Sequence, residues 1–109
     1  YTVISYEEAH SYAFSRHTLL IQGTPVGMFP RFREVPPFPI HRIAQGWRVW
    51  ELIYNPNPTR FIRLAHQRNA SVESGLHLFR RQAEHSLRLW SEAWSQAYKP
   101  VLRQRSRVA

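Results

Sequence analysis

The sequence predicts an all-α protein, and three observations predict it. Apolar residues recur at three- and four-residue steps along most of the chain, the spacing of a helical stripe. Proline and glycine gather mainly between those stretches, above all at 22–39 and 55–58, where they act as breaks. Arg80, Glu84, Arg88 and Glu92 alternate in sign at four-residue spacing on the longest stretch, the pattern of a solvated helix face. The expected order is an N-terminal helix, an extended proline-rich arm, two shorter helices, and one long C-terminal amphipathic helix with a basic tail. All of it reads as a single small helical domain over 1–109.

The first helix is expected over 6–21. Ser5 and Glu8 have capping-box spacing, with the hydroxyl placed for a backbone N–H three residues on and the carboxylate reaching back. Tyr6, Ala9, Ala13, His17 and Leu20 then form the stripe, until Gly23 and Pro25 stop it. The arm over 22–39 holds five prolines and two glycines, which rule out regular helix and central strand. Val26, Met28, Phe29, Phe32, Val35 and Phe38 make it too apolar for a solvated linker. It therefore reads as a segment that lies on a surface, either that of its own helices or that of a neighbouring subunit.

The second helix is expected over 40–54, on Ile40, Ile43, Trp47, Trp50 and Tyr54. Gly46 counts against it by about 1 kcal/mol, and "WRVWELIY" taken alone has strand composition. After the "NPNP" break, Asn57 as cap and Pro58 at the first helical position open a short helix over 58–68. Ser71 then reads as the cap of the long helix over 72–99. Its stripe runs through Val72, Leu76, Phe79, Ala83, Leu87, Trp90, Trp94 and Ala97, and Pro100 ends or kinks it. Residues 100–109 are the basic tail.

The formal net charge is +8 with a pI near 11.1. It favours an anionic partner, whether nucleic acid, lipid headgroups or an acidic protein. Lys99 is the one lysine among 15 basic residues, and all seven acids are glutamate. No cysteine occurs, which removes disulfides, thiolate metal sites and cysteine nucleophiles. No apolar run approaches the roughly 20 residues that cross a bilayer. The chain starts at Tyr1 rather than methionine, which fits a processed or trimmed product.

No enzyme signature is visible, so the expectation is a non-enzyme with no catalytic residues, no metal and no cofactor. There is no phosphate-binding glycine loop and no nucleophile elbow. Helical spacing separates His10 from His17, and His77 from His85, by roughly 10–12 Å, too far to share one ion. The candidate anion-binding residues are Arg60, Arg63 and Arg68 in the short helix and Lys99, Arg103, Arg105 and Arg107 near the C-terminus, two stretches without an acid. They suit RNA phosphate, a lipid headgroup or an acidic partner. The candidate packing residues are Phe29, Phe32, Phe38, Trp47, Trp50, Trp90 and Trp94.

These features point to a non-catalytic accessory subunit of a large mitochondrial membrane assembly, a respiratory complex or ATP synthase. It would sit peripheral to the inner membrane and pack through the arm and the long helix. The alternative is a mitochondrial ribosomal protein holding rRNA through its basic tail. Both readings expect other protein subunits as partners, with anionic lipid contact in the first, and neither expects a small-molecule substrate.

Overall fold

The computed structural model describes the backbone of residues 1–107 and the side chains of 1–97 and Lys99. The chain divides into two compact units, Tyr1–Leu78 and Phe79–Ala109. The first unit is α/β, not all-α. Its centre is a three-stranded parallel sheet in the order β1 (Leu19–Gln22), β2 (Arg48–Glu51), β3 (Ser71–Glu73). Helix α1 (Arg60–Gln67) connects β2 to β3, and helix α2 (Gly75–Arg107) follows β3.

The expected helix over 6–21 is replaced by a single 3-10 turn, Glu8–His10, and by β1. Its capping box does form: Ser5 N–H donates to Glu8 Oε2 at 2.6 Å, and Glu8 N–H donates to Ser5 Oγ at 3.0 Å. The helix does not propagate because Ser15, His17 and Thr18 are weak helix formers and the carbonyls downstream are claimed by a strand. Thr18 C=O accepts from Arg48 N–H at 2.9 Å, and Gln22 C=O accepts from Leu52 N–H at 3.1 Å.

The expected helix over 40–54 is likewise overturned. Only the 3-10 turn Ile40–Arg42 survives, and β2 takes 48–51. Gly46 decides this. Its φ of +94° is a left-handed conformation, and a Cβ there would lie 3.0 Å from Arg16 C=O. The chain turns at Gly46, and the apolar run beyond it enters the sheet.

The proline-rich segment is the crossover that two parallel strands require. Pro36 and Pro39 are buried, while Val35 and Phe38 pack on the core. The arm thus rests partly on its own unit.

Alternate residues of each strand face the core. Leu20, Gln22, Val49, Glu51 and Val72 point towards α1, whose Phe61, Ile62 and Ala65 close the core with Ile43, Trp47 and Ala70. Burying a side chain such as Phe61 or Val49 fully is worth about 1.5–3 kcal/mol. An aromatic cluster lies at one side, with Trp47 5.2 Å from Phe14 and 6.4 Å from Phe38 between ring centroids. The opposite sheet face, carrying Leu19, Ile21 and Trp50, is exposed.

Two helix boundaries also differ from expectation. The cap of α1 is Thr59, not Asn57, and Asn69 at φ 61° turns the chain out of the helix. Ser71 belongs to β3, so α2 starts at Gly75. At its other end α2 runs on through Pro100 to Arg107.

Candidate functional site

In an open parallel sheet, ligands bind outside the carboxyl ends of the strands, where the chain leaves the sheet and its side chains converge. In the first unit that place is a groove of about 450 Å³. One wall is the segment leaving β1, with Gly23, Thr24, Pro25, Met28 and Phe29. The other is the segment leaving β2, with Leu52, Ile53, Tyr54 and Asn55. Met28, Phe29, Leu52 and Tyr54 are 47%, 69%, 47% and 46% exposed, so the rim is largely apolar and open to a ligand. None of these lining residues is an acid, lysine, arginine or histidine. The groove is therefore built for an uncharged, flat or apolar part of a ligand, with Thr24 and Asn55 as its polar points.

A buried polar network lies beneath the groove. The last residues of β1 and β2, Gln22 and Glu51, are register partners and point to the same face. Glu51 is 2% exposed. Its Oε2 accepts from Thr59 Oγ1 at 2.5 Å and its Oε1 accepts from Gln22 Nε2 at 3.3 Å. Thr59 Oγ1 in turn accepts from Ile62 N–H at 3.2 Å, which caps α1. Gln22 Oε1 accepts from Thr24 N–H at 2.6 Å and from Thr24 Oγ1 at 2.7 Å, and Gln22 Nε2 also donates to Val26 C=O at 3.2 Å. Burial pushes the Glu51 carboxyl above the usual glutamate range, and the hydrogen bonds from Thr59 and Gln22 offset part of that rise.

The first residue of α2, Gly75, lies against the β2 exit. Gly75 N–H donates to Ile53 C=O at 3.0 Å. A Cβ at Gly75 would fall 2.1 Å from Leu52 C=O, so only glycine lets the two backbones approach this closely.

Of the expected site residues whose side chains are described, only Phe29 lines this groove. Phe32 is exposed beside Arg33, Trp50 is exposed on the outer sheet face, and Phe38 and Trp47 pack internally. Trp90 and Trp94 are 70% and 64% exposed on α2. Arg60 donates to Arg33 C=O at 2.9 Å. Arg68 donates to Ile43 C=O at 3.1 Å and to His41 C=O at 2.9 Å, so both guanidinium groups tie loops to α1. Arg63 and Lys99 are exposed. The side chains of Arg103, Arg105 and Arg107 lie outside the described residues.

Sequence reasoning missed Gln22, Thr24, Leu52, Tyr54, Asn55, Glu51 and Thr59. A signal for one of them was present: Glu51 is a lone acid inside the apolar run "WRVWELIY".

No protein-family model matches the chain. Curated relatives do. The chain is 37% identical over 73 residues to the shikimate dehydrogenase (NADP(+)) of Desulforamulus reducens, covering 67% of this chain and 25% of that protein. It is 34% identical over 96 residues to the shikimate dehydrogenase (NADP(+)) of Crocosphaera subtropica, covering 82% and 31%. Among solved structures, a chorismate mutase/shikimate 5-dehydrogenase fusion protein from Clostridium acetobutylicum superposes with a TM-score of 0.73 at 30% identity, covering 84% of this chain and 33% of that one. A shikimate dehydrogenase in complex with NADP+ superposes with a TM-score of 0.51 at 32% identity, covering 54% and 21%. The chain thus spans about a fifth to a third of the length of these proteins.

The likeness overturns the expectation of a non-enzymatic mitochondrial accessory subunit, and equally the mitochondrial ribosomal alternative. The relatives are enzymes of bacteria and archaea, and their names carry a small-molecule substrate and a nicotinamide cofactor. It also removes the ground for a place at the mitochondrial inner membrane. Among the described residues no helix is long and apolar enough to cross a membrane.

Proposed function

We propose that this chain is the part of a shikimate dehydrogenase that holds the nicotinamide end of NADP+ at the carboxyl edge of a parallel sheet. One coincidence carries the reading. An apolar groove without a charged side chain lies where a parallel sheet presents its ligands, in a chain that resembles NADP+-dependent dehydrogenases over most of its length. The nicotinamide ring is flat and weakly polar, which matches walls made by Met28, Phe29, Leu52 and Tyr54. Its carboxamide needs hydrogen-bond partners, which Thr24 and Asn55 are placed to offer. The phosphates and the substrate carboxylate need cations, which this groove lacks.

When bound, the cofactor supplies acceptance of a hydride from an alcohol carbon. The groove contributes orientation and exclusion of water, since no acid, lysine or histidine lines it to move a proton. The test is equilibrium binding of NADP+ and shikimate-dependent formation of NADPH by the full-length protein carrying this chain. Both are expected. Substitution Met28→Glu places a carboxylate in the apolar wall at a half-exposed position, so it leaves the melting temperature within about 2 °C. It raises the NADP+ Kd by about tenfold or more. Wild-type protein that binds NADP+ with an affinity indifferent to Met28→Glu would remove the groove from the site.

A further inference from the structure

We infer that Gln22 and Glu51 are positioning residues that set the separation of the two groove walls and so tune cofactor affinity. This rests on the reading of the groove as the NADP+ site and names what determines its shape.

The argument begins with hydrogen-bond capacity. A glutamine side chain has two acceptor lone pairs and two N–H donors. In Gln22 all four are engaged: Oε1 by the Thr24 N–H and hydroxyl, Nε2 by Val26 C=O and Glu51. Thr24 Oγ1 also accepts from Val26 N–H at 3.3 Å. One side chain therefore closes the turn over 22–26, which is the start of the first wall. Glu51 immediately precedes Leu52, the start of the second wall. The bond between Gln22 and Glu51 at 3.3 Å is a buried side-chain link between the starts of the two walls, and Thr59 anchors Glu51 to the cap of α1. Gln22 and Glu51 are 5% and 2% exposed, so neither touches a ligand directly. Their effect reaches the ligand only through the backbone that they hold. A fully satisfied buried network is stiff, whereas one with a missing partner relaxes by moving its loops.

The decisive comparison is a set of variants of the full-length protein, each assayed for NADP+ Kd, for KM and kcat, and for melting temperature. Gln22→Leu and Glu51→Leu keep the volume and remove the bonds. They are expected to raise the NADP+ Kd and KM by about tenfold or more, with a smaller fall in kcat at saturation. Glu51→Gln keeps the reach and can accept from Gln22 while donating to Thr59, so it is expected to hold the Kd within about threefold of wild type. Val49→Ala opens a cavity on the same strand away from the groove. It should lower the melting temperature as much as the leucine variants while leaving the Kd within about twofold. Leucine variants with wild-type Kd overturn the inference, and so does Val49→Ala raising the Kd as much as they do. Wild-type protein that fails to bind NADP+ at all is a different outcome, and overturns the groove reading itself.

Discussion

At Glu51 the cost of burying a carboxylate meets the gain of two hydrogen bonds, and the outcome has a measurable sign. Its carboxyl is held above the ordinary glutamate value by desolvation, with the Thr59 and Gln22 bonds pulling the other way. The folded state therefore binds the Glu51 proton more tightly than the unfolded chain does. The stabilisation that follows is complete below the unfolded-state pKa and is lost as pH rises through the folded one. In urea denaturation, the stability of wild type relative to Glu51→Gln should fall as pH rises from the ordinary glutamate range towards neutrality. A difference that rises instead would mean that the hydrogen bonds outweigh desolvation. Glu8 shows the opposite case in the open. Ser5 holds the exposed Glu8 carboxyl below the usual range through the capping box. That same pair was legible in the sequence, because a capping box needs only residues three apart. The Glu51 network was not, because its partners lie 8 and 29 residues away.

Among the elements, those that close their own hydrogen bonds were legible and those that borrow them were not. Helix α1 was legible from the break before it and the body of α2 from its apolar spacing, because a helix satisfies its backbone within one segment. The strands are only three or four residues long, too short to show a period, and their bonds go to distant partners. The helical stripe from Tyr6 to Leu20 was real as a spacing and lost to pairing with β2. Gly46 looked like a cost inside a helix; it is the turn that makes the strand. Gly75 is the equivalent point at the start of α2, where the close approach to Leu52 leaves no room for a Cβ. Gly75→Ala must push the helix start away from the β2 exit. A loss of about 3 kcal/mol or more in denaturant unfolding is expected, with NADP+ affinity falling alongside, since Leu52 belongs to the groove.

In the first unit one face of the parallel sheet is exposed among the described residues. Parallel sheets are ordinarily covered on both faces, and Leu19, Ile21 and Trp50 stand 49%, 54% and 46% exposed on the uncovered one. An apolar face of this kind makes the 109-residue chain, expressed alone, prone to self-association. Replacing Ile21 and Trp50 by lysine should raise its solubility without unfolding the unit, measured as the concentration at which light scattering appears. Unchanged solubility would show that this face does not drive association. The charge of +8 invited a reading in terms of RNA or membrane. In the first unit Arg60 and Arg68 each donate to loop carbonyls, so part of that charge holds the fold together.

The sequence by itself determined a short helix within 58–68, the long helix, the capping box at Ser5, the breaks at proline and glycine, and the absence of cysteine chemistry. Each depends on residues close in the chain or on composition alone. Tertiary structure alone decided that 19–22, 48–51 and 71–73 are parallel strands, that the proline-rich segment is their crossover, and that Gln22 and Glu51 meet beneath a groove. The reason is physical. Strand pairing and a site at strand ends depend on contacts between residues 20 to 30 positions apart, and local spacing carries no record of which distant backbone will supply the missing hydrogen bonds.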